Sequence, residues 1–117
     1  MLIDDDPTIL SLLEALLELE GFQVIQLNGE GGQDEVMGQI DFEKPDLVLL
    51  DVHLHHMNGL DLLHLIREDE GLDSIRVLMS SGMELGSECA QKGADGFILK
   101  PYMPDELVKK IQIMLGT

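Results

Sequence analysis

Apolar and polar positions follow two rhythms along this chain. Short continuous apolar runs, bounded by polar residues or glycine, fall at positions 1–3, 22–27, 47–50, 77–79 and 97–99, and each predicts a β-strand. The runs LVLL and VLM show no alternation of face, as expected of strands covered by helices on both sides of a parallel sheet. Between the runs the pattern turns helical. Positions 7–20 predict a helix with Asp6 as N-cap, Pro7 at the first helical position and Gly21 just past the end. Further helices are predicted at about 31–41, 59–70, 84–92 and 104–115, where Pro104 suits a start and Gly116 an end. No internal repeat or linker interrupts this βα period. The expected architecture is one domain over 1–117 of class α/β, a doubly wound five-stranded parallel sheet with helices on both faces.

Charge narrows the function. Twenty-three acidic against 7 basic residues leave a formal charge of −16, the opposite of the clustered Lys and Arg that direct nucleic-acid binding needs. Cations and basic partners suit the chain better. No apolar run approaches the roughly 20 residues required to cross a bilayer, so neither a membrane segment nor a signal peptide is expected. The single cysteine, Cys89, fits a reducing, cytoplasmic setting and packing as a small apolar residue on a helix.

The residues that end each strand carry the chemistry. Asp4 and Asp5 follow the first, Asn28 the second, Asp51 the third, Ser80 and Ser81 the fourth and Lys100 the fifth. In open α/β sheets the ligand crevice lies beyond the carboxyl ends of the strands, where the strand order reverses. In a sheet wound in the flavodoxin-like order 2-1-3-4-5, Asp4, Asp5 and Asp51 converge at that point. Two carboxylates about 4 Å apart repel by roughly 4 kcal/mol at the effective dielectric of a protein surface. Three carboxylates and one ammonium leave a charge near −2, so a divalent cation is the expected counterpart. Mg²⁺ prefers oxygen ligands and keeps several waters, which suits one or two carboxylates plus a phosphoryl group.

Taken together, LIDDDP, DLVLLD, MNGLDLL, SSG and GADGFILKP resemble the motifs of response-regulator receiver domains, the CheY-like switches of two-component signalling. The five occur in the family's order and at family-like spacing over essentially the whole chain. The resemblance implies that a sensor histidine kinase or phosphotransfer protein phosphorylates Asp51. It also implies that Asp5 and Asp51 ligate Mg²⁺ directly, that Asp4 acts largely through water, and that the backbone carbonyl of His53 completes the protein ligands. Ser81 then hydrogen-bonds the new phosphoryl group, Lys100 pairs with it, and Phe97 is the switch aromatic. Catalysis in this reading is a signalling step: acceptance of the phosphoryl group and its slow loss, with no metabolic activity. Self-association through the face formed by the fourth and fifth helices and the fifth strand is a further implied partner mode. No output domain is expected within 117 residues.

Departures from the family pattern are few. Only three residues precede the acidic pair, which makes the first strand short and points to trimming upstream. His55 stands where members usually have proline, giving a more mobile loop. Ser81 replaces the commoner threonine and keeps the hydroxyl. The run HLHH at 53–56 raises a transition-metal site, but without a thiolate it is read as loop variation. In the first helix Leu10, Leu17 or Leu19 is expected to face outward, as a kinase-docking patch or as ordinary exposed leucine. Three alternatives stand beside the switch. One is a degenerate receiver acting only as a docking surface, which the intact Asp5, Asp51, Ser81 and Lys100 set argues against. A second is an aspartyl phosphohydrolase, which lacks its second carboxylate in the DVHLH that begins at Asp51. The third is a flavodoxin, with no evident phosphate-cradling loop.

Overall fold

A computed structural model describes residues 1–116; Thr117, included in the domain expected over 1–117, lies outside the described residues. The elements run β1 (Leu2–Ile3), α1 (Pro7–Leu19), β2 (Gln26–Leu27), α2 (Gly32–Glu43), β3 (Leu47–Asp51), α3 (Gly59–Glu68), β4 (Arg76–Ser81), α4 (Gly86–Gln91), β5 (Gly96–Leu99) and α5 (Pro104–Leu115). All strand pairs are parallel, in the order β2-β1-β3-β4-β5. The expected fold class is therefore observed.

Successive strand residues feed two separate cores. Ile3, Val48, Leu50, Val77 and Met79 point to one face, under Val36 and Ile40 of α2, Leu62, Leu63 and Ile66 of α3, and Cys89 of α4. Leu2, Leu47, Leu49, Leu78 and Ile98 point to the other, under Leu10, Leu13 and Leu17 of α1 and Leu107, Val108 and Ile111 of α5. Both faces of every central strand are buried, which is why their sequences show no alternation.

Strand bounds depart from the apolar runs for a hydrogen-bonding reason. β2 was expected over 22–27 but is only Gln26–Leu27, because β1 presents just Leu2 and Ile3 to pair with it. The Ile25 carbonyl still accepts from the Leu2 amide at 2.7 Å. β4 runs past its apolar core to include Ser80, opposite Asp51, and Ser81, opposite Leu99. A ladder holds polar residues in a strand as well as apolar ones. α3 stops at Glu68 because Asp69 is extended and caps a 3-10 turn at Glu70–Leu72, its Oδ1 accepting from the Gly71 amide at 2.9 Å. α4 is shorter than expected and has no side-chain cap at Leu85. Away from the crevice, the Arg67 guanidinium donates to Asp95 Oδ2 at 2.6 Å and to the carbonyls of Gly93 and Ile75. It ties α3 to the starts of β4 and β5.

The outward-facing leucines of α1 require correction. Leu10 and Leu17 are buried, while Leu12 and Leu19 are 63% and 86% exposed. Leu10, Leu13 and Leu17 recur at the three- and four-residue spacing of one helix face, and Leu12 and Leu19 fall outside that stripe.

Asp6 caps α1 as expected, its Oδ1 accepting from the amides of Thr8 at 3.0 Å and Ile9 at 3.4 Å. Asp6→Ala is expected to cost about 1 kcal/mol and lower the melting temperature by about 4 °C. Asp6→Asn, which keeps the accepting oxygen, should melt within about 1 °C of the parent by the same measure. Thermal denaturation of the pair followed by circular dichroism separates loss of the cap from loss of one negative charge.

Candidate functional site

β1 ends at Ile3 and releases Asp4 and Asp5; Asp51 is the last residue of the neighbouring β3. One oxygen from each of these three carboxylates lies within 4.8 Å of the others. Asp4 and Asp51 are almost completely buried. Lys100, just past β5, reaches across the crevice, and its Nζ donates to Asp4 Oδ2 at 3.2 Å and Asp51 Oδ2 at 3.1 Å. The second oxygens of these two carboxylates are also held: Asp4 Oδ1 accepts from the Asp6 amide at 3.0 Å and Asp51 Oδ1 from the His53 amide at 3.4 Å. Asp5 is anchored differently. Its Oδ2 accepts from the His55 amide at 2.9 Å and faces the His55 Nε2 at 3.3 Å.

Burial is the dominant influence on Asp51 and raises its carboxyl above the ordinary value, aided by the nearby Asp4 charge and opposed by Lys100. For Lys100, burial alone acts to lower the pKa, but Asp51 and then Asp4 outweigh it and leave the ammonium above its ordinary value. The lysine is thus a fixed cation between two carboxylates. One ammonium among three carboxylates leaves the crevice with net negative charge. Its donor set is hard oxygen throughout, and those residues fit a small divalent cation such as Mg²⁺.

Around this cluster the remaining expected residues take distinct places. Ser81 is fully buried at the end of β4, and its Oγ accepts from the Met83 amide at 3.0 Å. Phe97 is partly buried against the core on the α4 side. His53 has an exposed side chain on the loop leaving β3, where its backbone bridges to Asn58. Of the HLHH run, His55 is the residue that meets the cluster, and its contact with Asp5 goes beyond the loop variation read from sequence.

Gly59 is a site residue that sequence reasoning missed. It is buried, its amide donates to the Val52 carbonyl at 2.7 Å, and a Cβ there would fall on the Asp51 carbonyl oxygen and lie 2.9 Å from the Val52 Cα. Only glycine lets the start of α3 pack this close to the strand that carries Asp51. The signal was present as a Gly after Asn58, which caps the helix through its Oδ1 and the Leu60 amide at 2.8 Å. Beside the cluster an apolar groove of about 770 Å³ runs along α1, lined by Ile9, Leu12, Leu13, Leu16 and Tyr102 and reaching Lys100. A second cavity, of about 430 Å³, lies away from the carboxylates, between the starts of β1 and β3 and the ends of α1 and α5.

The family model described as "Response regulator receiver domain" matches residues 1–112. The DNA-binding response regulator MtrA of Mycolicibacterium smegmatis is 34% identical over 118 residues, covering 98% of this chain and 49% of that protein. The transcriptional regulatory protein CpxR of Escherichia coli is 38% identical over 117 residues, covering 98% of this chain and 48% of that protein. The chain spans about half the length of the curated relatives it matches. Among solved structures, a putative response regulator from Chloroflexus aurantiacus superposes with a TM-score of 0.86 at 28% identity, over 99% of this chain and 96% of that one. A CheY-like receiver domain protein from Methanospirillum hungatei gives 0.86 at 30% identity, over 98% and 90%.

Proposed function

This chain belongs to the response regulator receiver domain family, and from that membership we propose that it is a Mg²⁺-dependent phosphorylation switch accepting a phosphoryl group from a histidine kinase onto Asp51. The observation that carries the reading is Lys100 Nζ spanning Asp4 and Asp51 while three carboxylate oxygens lie within 4.8 Å of one another at the crevice.

Transfer begins with an Asp51 carboxylate oxygen facing the phosphorus of a phosphohistidine donor. The O–P bond forms as the P–N bond breaks, and the histidine nitrogen leaves with its electron pair. Phosphoryl transfer asks mainly for alignment and for neutralisation of charge on the equatorial oxygens. Mg²⁺ held by Asp4, Asp5 and Asp51, with the His53 carbonyl, supplies part of that neutralisation. Lys100 supplies another, exchanging its contact with Asp51 for one with the phosphoryl oxygens. The Ser81 hydroxyl leaves the Met83 amide to donate to the same group, and the shift draws Phe97 and the β4–α4 segment with it. The groove along α1 ends at Lys100, so an apolar kinase helix seated on Leu12 and Leu16 brings its phosphohistidine to Asp51. No helix among the described residues is long and apolar enough to cross a membrane, and we place the domain in the cytoplasm beside its kinase.

The test is uptake of phosphate from a small donor. With acetyl phosphate and Mg²⁺, intact-mass analysis should find one phosphoryl group per chain, and chelation of the metal should prevent it. No uptake under either condition would overturn the switch in favour of a docking module. Mg²⁺ binds the folded crevice in preference to the unfolded chain, so at 100 times its dissociation constant it should add about 2.7 kcal/mol of stability. Asp5→Ala should remove most of that shift when melting is followed across a Mg²⁺ titration.

A further inference from the structure

The His55 side chain is 78% exposed, yet its ring is not directed away from the protein. Its Nε2 stands 3.3 Å from Asp5 Oδ2, the same oxygen that accepts from the His55 backbone amide at 2.9 Å. The amide already anchors that oxygen, so the ring adds a second donor atom at the rim of the carboxylate cluster. We propose that His55 is a nitrogen ligand of the cation held by Asp4, Asp5 and Asp51, and that it biases the site toward first-row transition divalents such as Mn²⁺ over Mg²⁺.

This inference rests on the Mg²⁺-site reading above and adds to it a ligand from outside the oxygen set. Three observations meet in it. The first is spacing: metal–nitrogen and metal–oxygen bonds of about 2.0–2.2 Å place neighbouring ligand atoms of a tetrahedral or octahedral shell roughly 3.0–3.5 Å apart. The observed 3.3 Å between Nε2 and Oδ2 lies inside that range, so the ring and the carboxylate can share one cation without the loop moving. The second is position. Asp4 and Asp51 are buried and tied to Lys100, while Asp5 is the member of the cluster at its open rim, where a ligand from the β3–α3 loop has access. The third is donor chemistry. An imidazole suits Mn²⁺, Fe²⁺, Co²⁺ or Zn²⁺ and adds little for Mg²⁺, which selects oxygen. An exposed ion pair between His55 and Asp5 would contribute little stability by itself, so the contact has more consequence as a coordination edge.

Mn²⁺ alone is the probe, since its electron spin resonance reports both occupancy and ligand type. Imidazole-nitrogen modulation of the Mn²⁺ echo is expected in the wild type and in His53→Ala, and lost in His55→Ala. Competition of Mg²⁺ against Mn²⁺ should show the preference for Mn²⁺ falling about tenfold in His55→Ala, with Mg²⁺ affinity changed less than about twofold. Modulation that survives His55→Ala, or an unchanged Mn²⁺ preference, would overturn the ligand role while leaving the Mg²⁺ site intact. Mn²⁺ binding that Asp5→Ala does not weaken and Mg²⁺ does not displace would instead remove the site on which the inference rests.

Discussion

Asp51→Asn is expected to abolish phosphoryl uptake and, in metal-free buffer at neutral pH, to melt about 4 °C higher than the wild type. Loss of uptake follows from replacing the nucleophilic oxygen pair by an amide. The gain in stability follows from electrostatics. Burial, with the charge of Asp4, raises the Asp51 carboxyl in the folded protein above its unfolded value. A carboxyl raised in this way contributes stability that is present below the unfolded pKa and lost as pH rises through the folded one. At neutral pH the ionised side chain therefore opposes folding, even with Lys100 beside it. The amide removes that opposition at a cost in the Lys100 contact. The difference between variant and wild type should shrink as pH falls through the carboxylate range, and saturating Mg²⁺ should reverse it by stabilising the wild type alone. Melting curves at several pH values, with and without Mg²⁺, check each part; an Asp51→Asn protein that melts lower at neutral pH without metal would contradict the account.

The second large effect is structural. Gly59→Ala is expected to cost about 3 kcal/mol and about 10 °C in melting temperature, because the new methyl meets the Asp51 carbonyl oxygen and the Val52 Cα. Those are backbone atoms of a central strand, which cannot yield as a flexible side chain would. The same displacement moves Asp51, so phosphoryl uptake should slow in whatever fraction folds. Gly38→Ala is the contrasting variant. Gly38 lies within α2 and nothing stands within 4 Å of its added Cβ, so alanine should stabilise by about 0.5–1 kcal/mol. Denaturant titration of both variants reads the opposite signs directly.

The sequence made some parts of this molecule legible and hid others, for identifiable reasons. α5 was readable to the residue because Pro104 opens it and Gly116, at φ +74°, closes it. Asp6 was readable because an acidic residue before a proline suits an N-cap. The strand ends were not, since Ser80 and Ser81 are held in β4 by ladder bonds that hydropathy does not register. β2 was overcalled because an apolar run cannot reveal how short its neighbour β1 is. Asp4, Asp5, Asp51 and Lys100 converge because each lies at a strand end and the sheet is parallel, so their meeting follows from topology. The His55 contact with Asp5 and the close approach of Gly59 to Asp51 depend on the path of the β3–α3 loop. That path is fixed by the His53–Asn58 bridge and the Asn58 cap, which pair residues too irregular in spacing to produce a period.

Site mapping tests the central claim most directly. After brief treatment with acetyl phosphate and Mg²⁺, borohydride reduction converts an aspartyl phosphate to homoserine, and peptide sequencing by mass spectrometry locates it. The account predicts homoserine at position 51 alone, dependent on Mg²⁺. Homoserine at Asp4, Asp5 or any other aspartate, or uptake that yields none, would contradict it.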